Sequence, residues 1–162
     1  MYKTGIGQDS HRFEDQPGSK PLVLGGIHIA GYPGLVGNSD ADVVLHALTN
    51  AISGISGKNI LGRISDEMCL VNGITDSRAY LVKALETLEE YRIVHVSITI
   101  EGKRPKFEPH IEEMKKNIAG LLSLQASQIG ITATSGEGLT AFGRGDGLQV
   151  FVVATAADEA LV

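Results

Sequence analysis

Cysteine is nearly missing from this chain: Cys69 stands alone. A single thiol has no intrachain partner, so no disulfide framework holds the fold, and a reducing compartment such as the cytosol is expected. No apolar run approaches the roughly 20 residues of a membrane span. The opening residues, MYKTGIGQDS, show neither the apolar stretch of a signal peptide nor the Arg/Ser richness of a transit peptide. Positive charge is scarce too, with 14 Lys and Arg against 19 Asp and Glu, a net of −5. That balance argues against a nucleic-acid binder with a basic face and against attachment to a membrane surface. It is compatible with an anionic small molecule if metal ions, helix ends or a few basic groups supply local positive potential. There is no internal repeat and no low-complexity tract.

What is present suits one compact domain, residues 1–162, with 43% hydrophobic content to build a core. YKTGIGQDSHRF reads as a first strand, and PLVLGGIHIA as a hairpin turning at Gly25-Gly26. A helix is expected from Asp40, with Ser39 as N-cap, Asp42 completing a carboxylate version of the capping box, and Gly54 ending it. Residues 55–75 lack clean periodicity and read as a mobile loop with one short helical turn. A second helix is expected over residues 76–91, with Leu81, Ala84, Leu85 and Leu88 on one face. VHVSITIE is a β-branched strand, Pro109 opens a third helix, and QIGITATS and GLQVFVVATAA read as closing strands. Strict βαβ alternation is absent, so the expected class is α+β, a mixed sheet under one layer of helices.

Asp9 and His11 stand two apart on the first strand and so share a face. They are either two-thirds of a metal site or a hydrogen-bonded pair on a solvated strand. On the first helix Val43, Val44, Ala47, Leu48, Ala51 and Ile52 form an apolar stripe, with His46 opposite beside Asp42, Thr49, Asn50 and Ser53. His46 is thus either a surface histidine or a third ligand. One Asp and two His leave a fourth tetrahedral position open, as catalytic zinc requires. Spacing alone leaves both readings open. A second cluster, TATSGEGLTAFGRGDG, gathers glycines, hydroxyls and a guanidinium that suit a phosphate, with Glu137 needing a hard cation beside it. The competing reading is a solvated Gly-rich hairpin.

Taken together, GQDSHRF, NSDADVVLHALTNAISG, DSR at Asp76 to Arg78, RPKFEPHI and TATSGEGL followed by GRGDG resemble the 2-C-methyl-D-erythritol 2,4-cyclodiphosphate synthase family of non-mevalonate isoprenoid biosynthesis. The resemblance runs over nearly the whole chain. It implies that Asp9, His11 and His46 bind Zn²⁺ and that Glu137 holds Mg²⁺ or Mn²⁺ against the phosphates. It implies catalytic contacts for Asn38, Thr134 and Ser135, with Ser39 on the same phosphate-contacting step. Gly102, Pro105 and Lys106 match a cytosine pocket, and Phe142 and Arg144 join the substrate-binding set, Arg144 lying near the family's trimer axis. The chain departs from the pattern at Asn38, where the family has histidine, and at Gln8, where phenylalanine is common. Its ribose-binding turn reads GKNILGR, so the usual aspartate falls at Asn59 or Ile60 and the second glycine at Gly62.

The implied enzyme is a cytoplasmic, metal-dependent phosphorus–oxygen lyase, a homotrimer with shared active sites, acting on a cytidine diphosphate-linked small molecule and releasing CMP. Two rival readings keep the same residues. One is a hydrolase that uses metal-bound water; the other is a zinc-stabilised trimer that binds a nucleotide or isoprenoid diphosphate without turnover. His28, His95 and His110 read as structural or surface residues, and Cys69 has no metal-ligand spacing. Asp40 and Asp42 read as helix-dipole partners, with orientation of His46 by Asp42 as the functional alternative.

Overall fold

The computed structural model describes residues 1–16 and 20–161. In chain order the elements are β1 (Tyr2–Arg12), β2 (Pro21–Leu24), β3 (Ile27–Pro33), α1 (Val43–Ser56), α2 (Arg63–Asp66) and α3 (Ser77–Leu85). There follow β4 (Tyr91–Glu101), α4 (Ile111–Leu122), β5 (Ile129–Thr134), α5 (Ala141–Arg144) and β6 (Gly147–Asp158). Four strands form one sheet in the order β1-β6-β4-β5. β6 runs antiparallel to both neighbours, whereas β4 and β5 are parallel, the crossover between them carrying α4. The sheet is mixed, as expected. The β2–β3 hairpin stands outside it, with Gly25 and Gly26 at φ 60° and 76°, the two left-handed residues a tight hairpin turn demands.

Alternation along the strands assigns the faces. Leu148, Val150, Val152, Ala154 and Ala156 of β6 and Val96, Ile98 and Ile100 of β4 turn inward against Leu45, Leu48 and Ile52 of α1. On the other face Ile6, Phe151 and Val153 stay 68%, 41% and 40% exposed. Among the described residues no helix is long and apolar enough to cross a membrane.

α1 departs from its predicted form in three ways. It begins at Val43 with Asp42 as N-cap, not at Asp40 with Ser39. Ala41 sits in the left-handed region at φ 53°, so the helical run starts only after it. It passes through Gly54 and ends at Ser56, where Gly57 at φ 73° donates its N–H to Ser53 O. Its polar side is not solvated, since Asp42 and Thr49 are fully buried and His46 and Ser53 nearly so. Asp42 clamps two elements together, accepting from Val44 N and Leu45 N of α1 and from Gly25 N and Gly26 N of the hairpin turn. Burial pushes its carboxyl up to about 6, opposed by the Leu45 and Gly26 amides and reinforced by the Asp40 carboxylate.

Two other regions also differ. Residues 55–75 hold α2 and a π-helical stretch at Glu67–Val71, and Ile60, Ser65 and Cys69 pack inward instead of leaving an open loop. α3 stops at Leu85, with a 3₁₀ turn at Glu86–Leu88, because β4 already begins at Tyr91.

Two glycines let α1 lie directly on β1. A Cβ at Gly7 would stand 2.0 Å from Ala47 O and 2.3 Å from Ala51 N, and one at Gly5 would stand 2.1 Å from Ala51 O. Those are main-chain atoms, which cannot rotate aside as a side chain can. Gly7→Ala is therefore expected to push α1 off the sheet and cost more than about 2 kcal/mol, to be read by urea denaturation.

Candidate active site

Asp9 and His11 pair across the sheet with Val150 and Leu148, residues of the core face, so both side chains turn towards the helices. They lie near the C-terminal end of β1, where the first turn of α1 passes over them and brings down His46. Asp9 Oδ2 stands 2.9 Å from His11 Nε2 and 3.2 Å from His46 Nδ1, and the two ring nitrogens are 3.3 Å apart. One ligand atom from each residue lies within 4.8 Å of the others. The outer nitrogen of each ring is occupied: His11 Nδ1 lies 2.8 Å from Val36 O, and His46 Nε2 lies 2.8 Å from Ser77 Oγ. This donor set, one carboxylate oxygen and two imidazole nitrogens converging from one side, fits a divalent ion that keeps an open position. The open side faces a cavity of about 300 Å³ whose lining includes Asn38, Ser39, Leu61, Ser65, Cys69 and Tyr80.

The electrostatics agree with that convergence. Burial works to raise Asp9, but hydrogen bonds from His11 and His46 outweigh it and hold the carboxyl below its ordinary value. Burial works to lower His11, but its bond to Asp9 prevails and lifts the ring above 6.5.

The remaining predicted residues fall in two places. Asn38 is exposed and Ser39 buried at the triad cavity, and the Cys69 thiol donates to Asn38 O at 3.3 Å. Nearby, Asn59 is exposed and Gly62 takes φ 109°. Ile60 is 2% exposed and belongs to the core, so its side chain is not available to a ligand.

The second place is the C-terminal end of β4 and β5. Gly102 N donates to Thr134 O, Lys103 N to Phe142 O, and the Thr140 hydroxyl to the Glu101 carboxylate. Ser135 Oγ accepts from Glu137 N, and Glu137 is exposed at φ 51°. Pro105 is buried after a cis Arg104–Pro105 peptide, Lys106 and Arg144 are exposed, and Phe142 is half-buried. β1 and β5 are opposite edges of the four-stranded sheet, about 14 Å apart at three strand spacings. None of this second group lines the triad cavity.

The YgbB family model matches residues 2–157. The chain belongs to the YgbB family. It is 48% identical over 159 residues to the 2-C-methyl-D-erythritol 2,4-cyclodiphosphate synthase of Chlamydia caviae, covering 98% of this chain and 90% of that one. Its fold is similar to part of the bifunctional IspDF from Campylobacter jejuni, with a TM-score of 0.88 and 29% identity over 99% of this chain and 44% of that one. A 2C-methyl-D-erythritol-2,4-cyclodiphosphate synthase in a CDP-bound form matches with a TM-score of 0.77 and 29% identity, covering 96% of this chain and all of that one.

Against this YgbB-family background two sequence readings need correction. The α1 N-terminus lies at Asp42 and Val43, not at Ser39, and Asp42 takes the amides of Val44 and Leu45. His46 is approached through its Nε2 by Ser77, which Asp40 holds, and not by Asp42. Ser77 went unassigned in the sequence reading; its signal was the DSR motif, which spacing alone could not connect to His46. In the metal-free protein the His11 ring is expected to titrate above the ordinary histidine value by ¹H NMR, and Asp9→Asn to lower it, since burial is then opposed only by the bond to Val36 O.

Proposed function

We propose that this chain converts 4-diphosphocytidyl-2-C-methyl-D-erythritol 2-phosphate into 2-C-methyl-D-erythritol 2,4-cyclodiphosphate and CMP. The observation that carries this reading is the 48% identity, over nearly the whole chain, to a synthase of that name. The CDP-bound relative supports a cytidine diphosphate-linked substrate. In this reaction an oxygen of the 2-phosphate attacks the β-phosphorus, and the bond from that phosphorus to the CMP oxygen breaks. The nucleophile arrives ionised and CMP leaves as an anion, so the residues need not supply a general base. Their task is to bring two anions together in line.

Asp9, His11 and His46 would hold Zn²⁺, and Glu137 would hold Mg²⁺ or Mn²⁺. Such ions, when bound, polarise phosphate oxygens and offset their charge. Asn38 and Ser39 face the attacking phosphate, Asn38 with an amide that hydrogen-bonds without adding charge. Asp42 occupies the Val44 and Leu45 amides, so phosphate contacts there come from these side chains and the remaining N–H groups. Thr134 and Ser135 offer hydroxyls to the diphosphate. Gly102, Pro105 and Lys106 enclose the cytosine, Asn59 and Gly62 meet the ribose, and Phe142 and Arg144 complete the substrate contacts.

Thr134, Ser135 and Glu137 lie at the end of β5, the edge strand opposite β1, while Phe142 shares a cavity with His11; a homotrimer in which a neighbour's β5 end reaches the triad would complete each site. The open sheet face, with Ile6, Phe151 and Val153 exposed, is apolar surface suited to that assembly. On this reading residues 1–162 act as one catalytic domain of a cytoplasmic, metal-dependent lyase.

³¹P NMR of the protein with the cytidyl substrate, Zn²⁺ and Mg²⁺ is expected to show a cyclic diphosphate with stoichiometric CMP. A linear product with water incorporated would indicate a hydrolase, and an unchanged spectrum from folded, zinc-loaded protein would overturn turnover altogether. Glu137→Gln is expected to leave zinc content unchanged while raising the Mg²⁺ concentration needed for half-maximal rate. An unaltered Mg²⁺ dependence removes Glu137 from that role.

A further inference from the structure

The DSR motif is only partly explained by helix capping. Asp76 caps α3, accepting from Arg78 N at 2.9 Å, and pairs with the Arg78 guanidinium through Nε at 2.8 Å. Ser77 lies between them, fully buried, and its hydroxyl points away from that pair. Its Oγ is 2.8 Å from His46 Nε2 and hydrogen-bonded to Asp40 Oδ1, while its backbone N–H donates to Asp40 Oδ2 at 3.1 Å. Asp40 is itself fixed, accepting from Asp42 N at 3.1 Å and donating its own N–H to Thr75 O at 2.8 Å.

We propose that Ser77, held by Asp40, is a positioning residue that fixes His46 with its proton on Nε2 and its Nδ1 lone pair aimed at Asp9 and His11. Each link runs in one direction. A carboxylate only accepts, so Asp40 takes the single hydroxyl proton of Ser77. Ser77 Oγ then meets the ring with lone pairs, and Nε2 must be the donor. The other nearby hydroxyl, Ser39 Oγ at 3.4 Å, accepts from Ala41 N and keeps a second lone pair that can accept from the same Nε2–H. His11 reaches the same state by another device, its Nδ1 donating to Val36 O and leaving Nε2 bare. With its outer nitrogen held as a donor, each ring gives Asp9 a proton only in its charged form, and once neutral presents a lone pair to the space beside Asp9, which a metal ion needs from imidazole. Without Ser77, the Asp9 carboxylate 3.2 Å from His46 Nδ1 is the stronger acceptor, and the proton moves to the nitrogen that should bind the ion.

This inference rests on the metal reading of the triad, and the test separates the two. The probes are zinc affinity by chelator competition, the visible spectrum of the Co²⁺ form, and the His46 tautomer in metal-free protein by ¹⁵N NMR above the histidine titration. Ser77→Ala is expected to keep its fold by circular dichroism and to bind zinc roughly 10- to 100-fold more weakly. Its Co²⁺ spectrum should be altered, and its His46 should shift towards the Nδ1–H tautomer. Asp40→Asn, which preserves shape, is expected to move the same readouts and carries the test if Ser77→Ala does not fold. Unchanged zinc affinity, or weaker binding with an unaltered tautomer, overturns the proposal. Wild-type protein that binds no zinc overturns the metal reading, and the tautomer measurement then still decides whether Ser77 sets the ring.

Discussion

The contact on which the structure depends is backbone against backbone, α1 lying on β1 across Gly5 and Gly7 with no side chain between them. A helix that packs on a sheet through large side chains is held off it by their length. Here the helix sinks closer, and His46 on its first turn comes within hydrogen-bond reach of Asp9 and His11 on the strand below. The glycines that look like local flexibility in GIGQDSHRF instead make room for a helix.

Sinking α1 into the molecule buries its polar side as well as its apolar stripe, and buried polar groups must find partners. The two aspartates of SDADV divide that work. Asp42 gathers the first amides of α1 and the turn of the β2–β3 hairpin onto one carboxylate. Asp40 ties the segment before α1 to the start of α3 through Ser77. Thr49 returns its hydroxyl to Leu45 O, whereas Ser53 Oγ has no partner among the described residues. Polar groups that seemed a solvated helix face are thus the links that hold the helix start, the hairpin and the triad in one arrangement.

An acidic chain handling phosphates needs positive charge it does not carry in bulk, and the site geometry accounts for how it manages this. Asp42 takes two of the first amides of α1, and Asp9, His11 and His46 bring together side chains that could hold a metal ion. The second group, around Thr134 and Glu137, sits on the far edge of the same sheet.

Much was legible in the sequence because its signals are local. Strand alternation, the Gly25-Gly26 turn, the Pro-led start before α4 and the mixed sheet follow from periodicity and turn chemistry, which depend on near neighbours. Asp9 and His11 shared a face for the same reason. The start of α1 escaped because Ser39 and Asp42 are both good caps, and the choice fell to the hairpin amides that reach Asp42 from elsewhere in the chain. The burial of His46, the inward packing of Ile60 and the link from Ser77 were likewise beyond it, each set by a partner tens of residues away. The sequence by itself determined which groups the site contains. Only the tertiary structure decided where they meet, because convergence is a property of packing between distant elements and leaves no mark on local spacing.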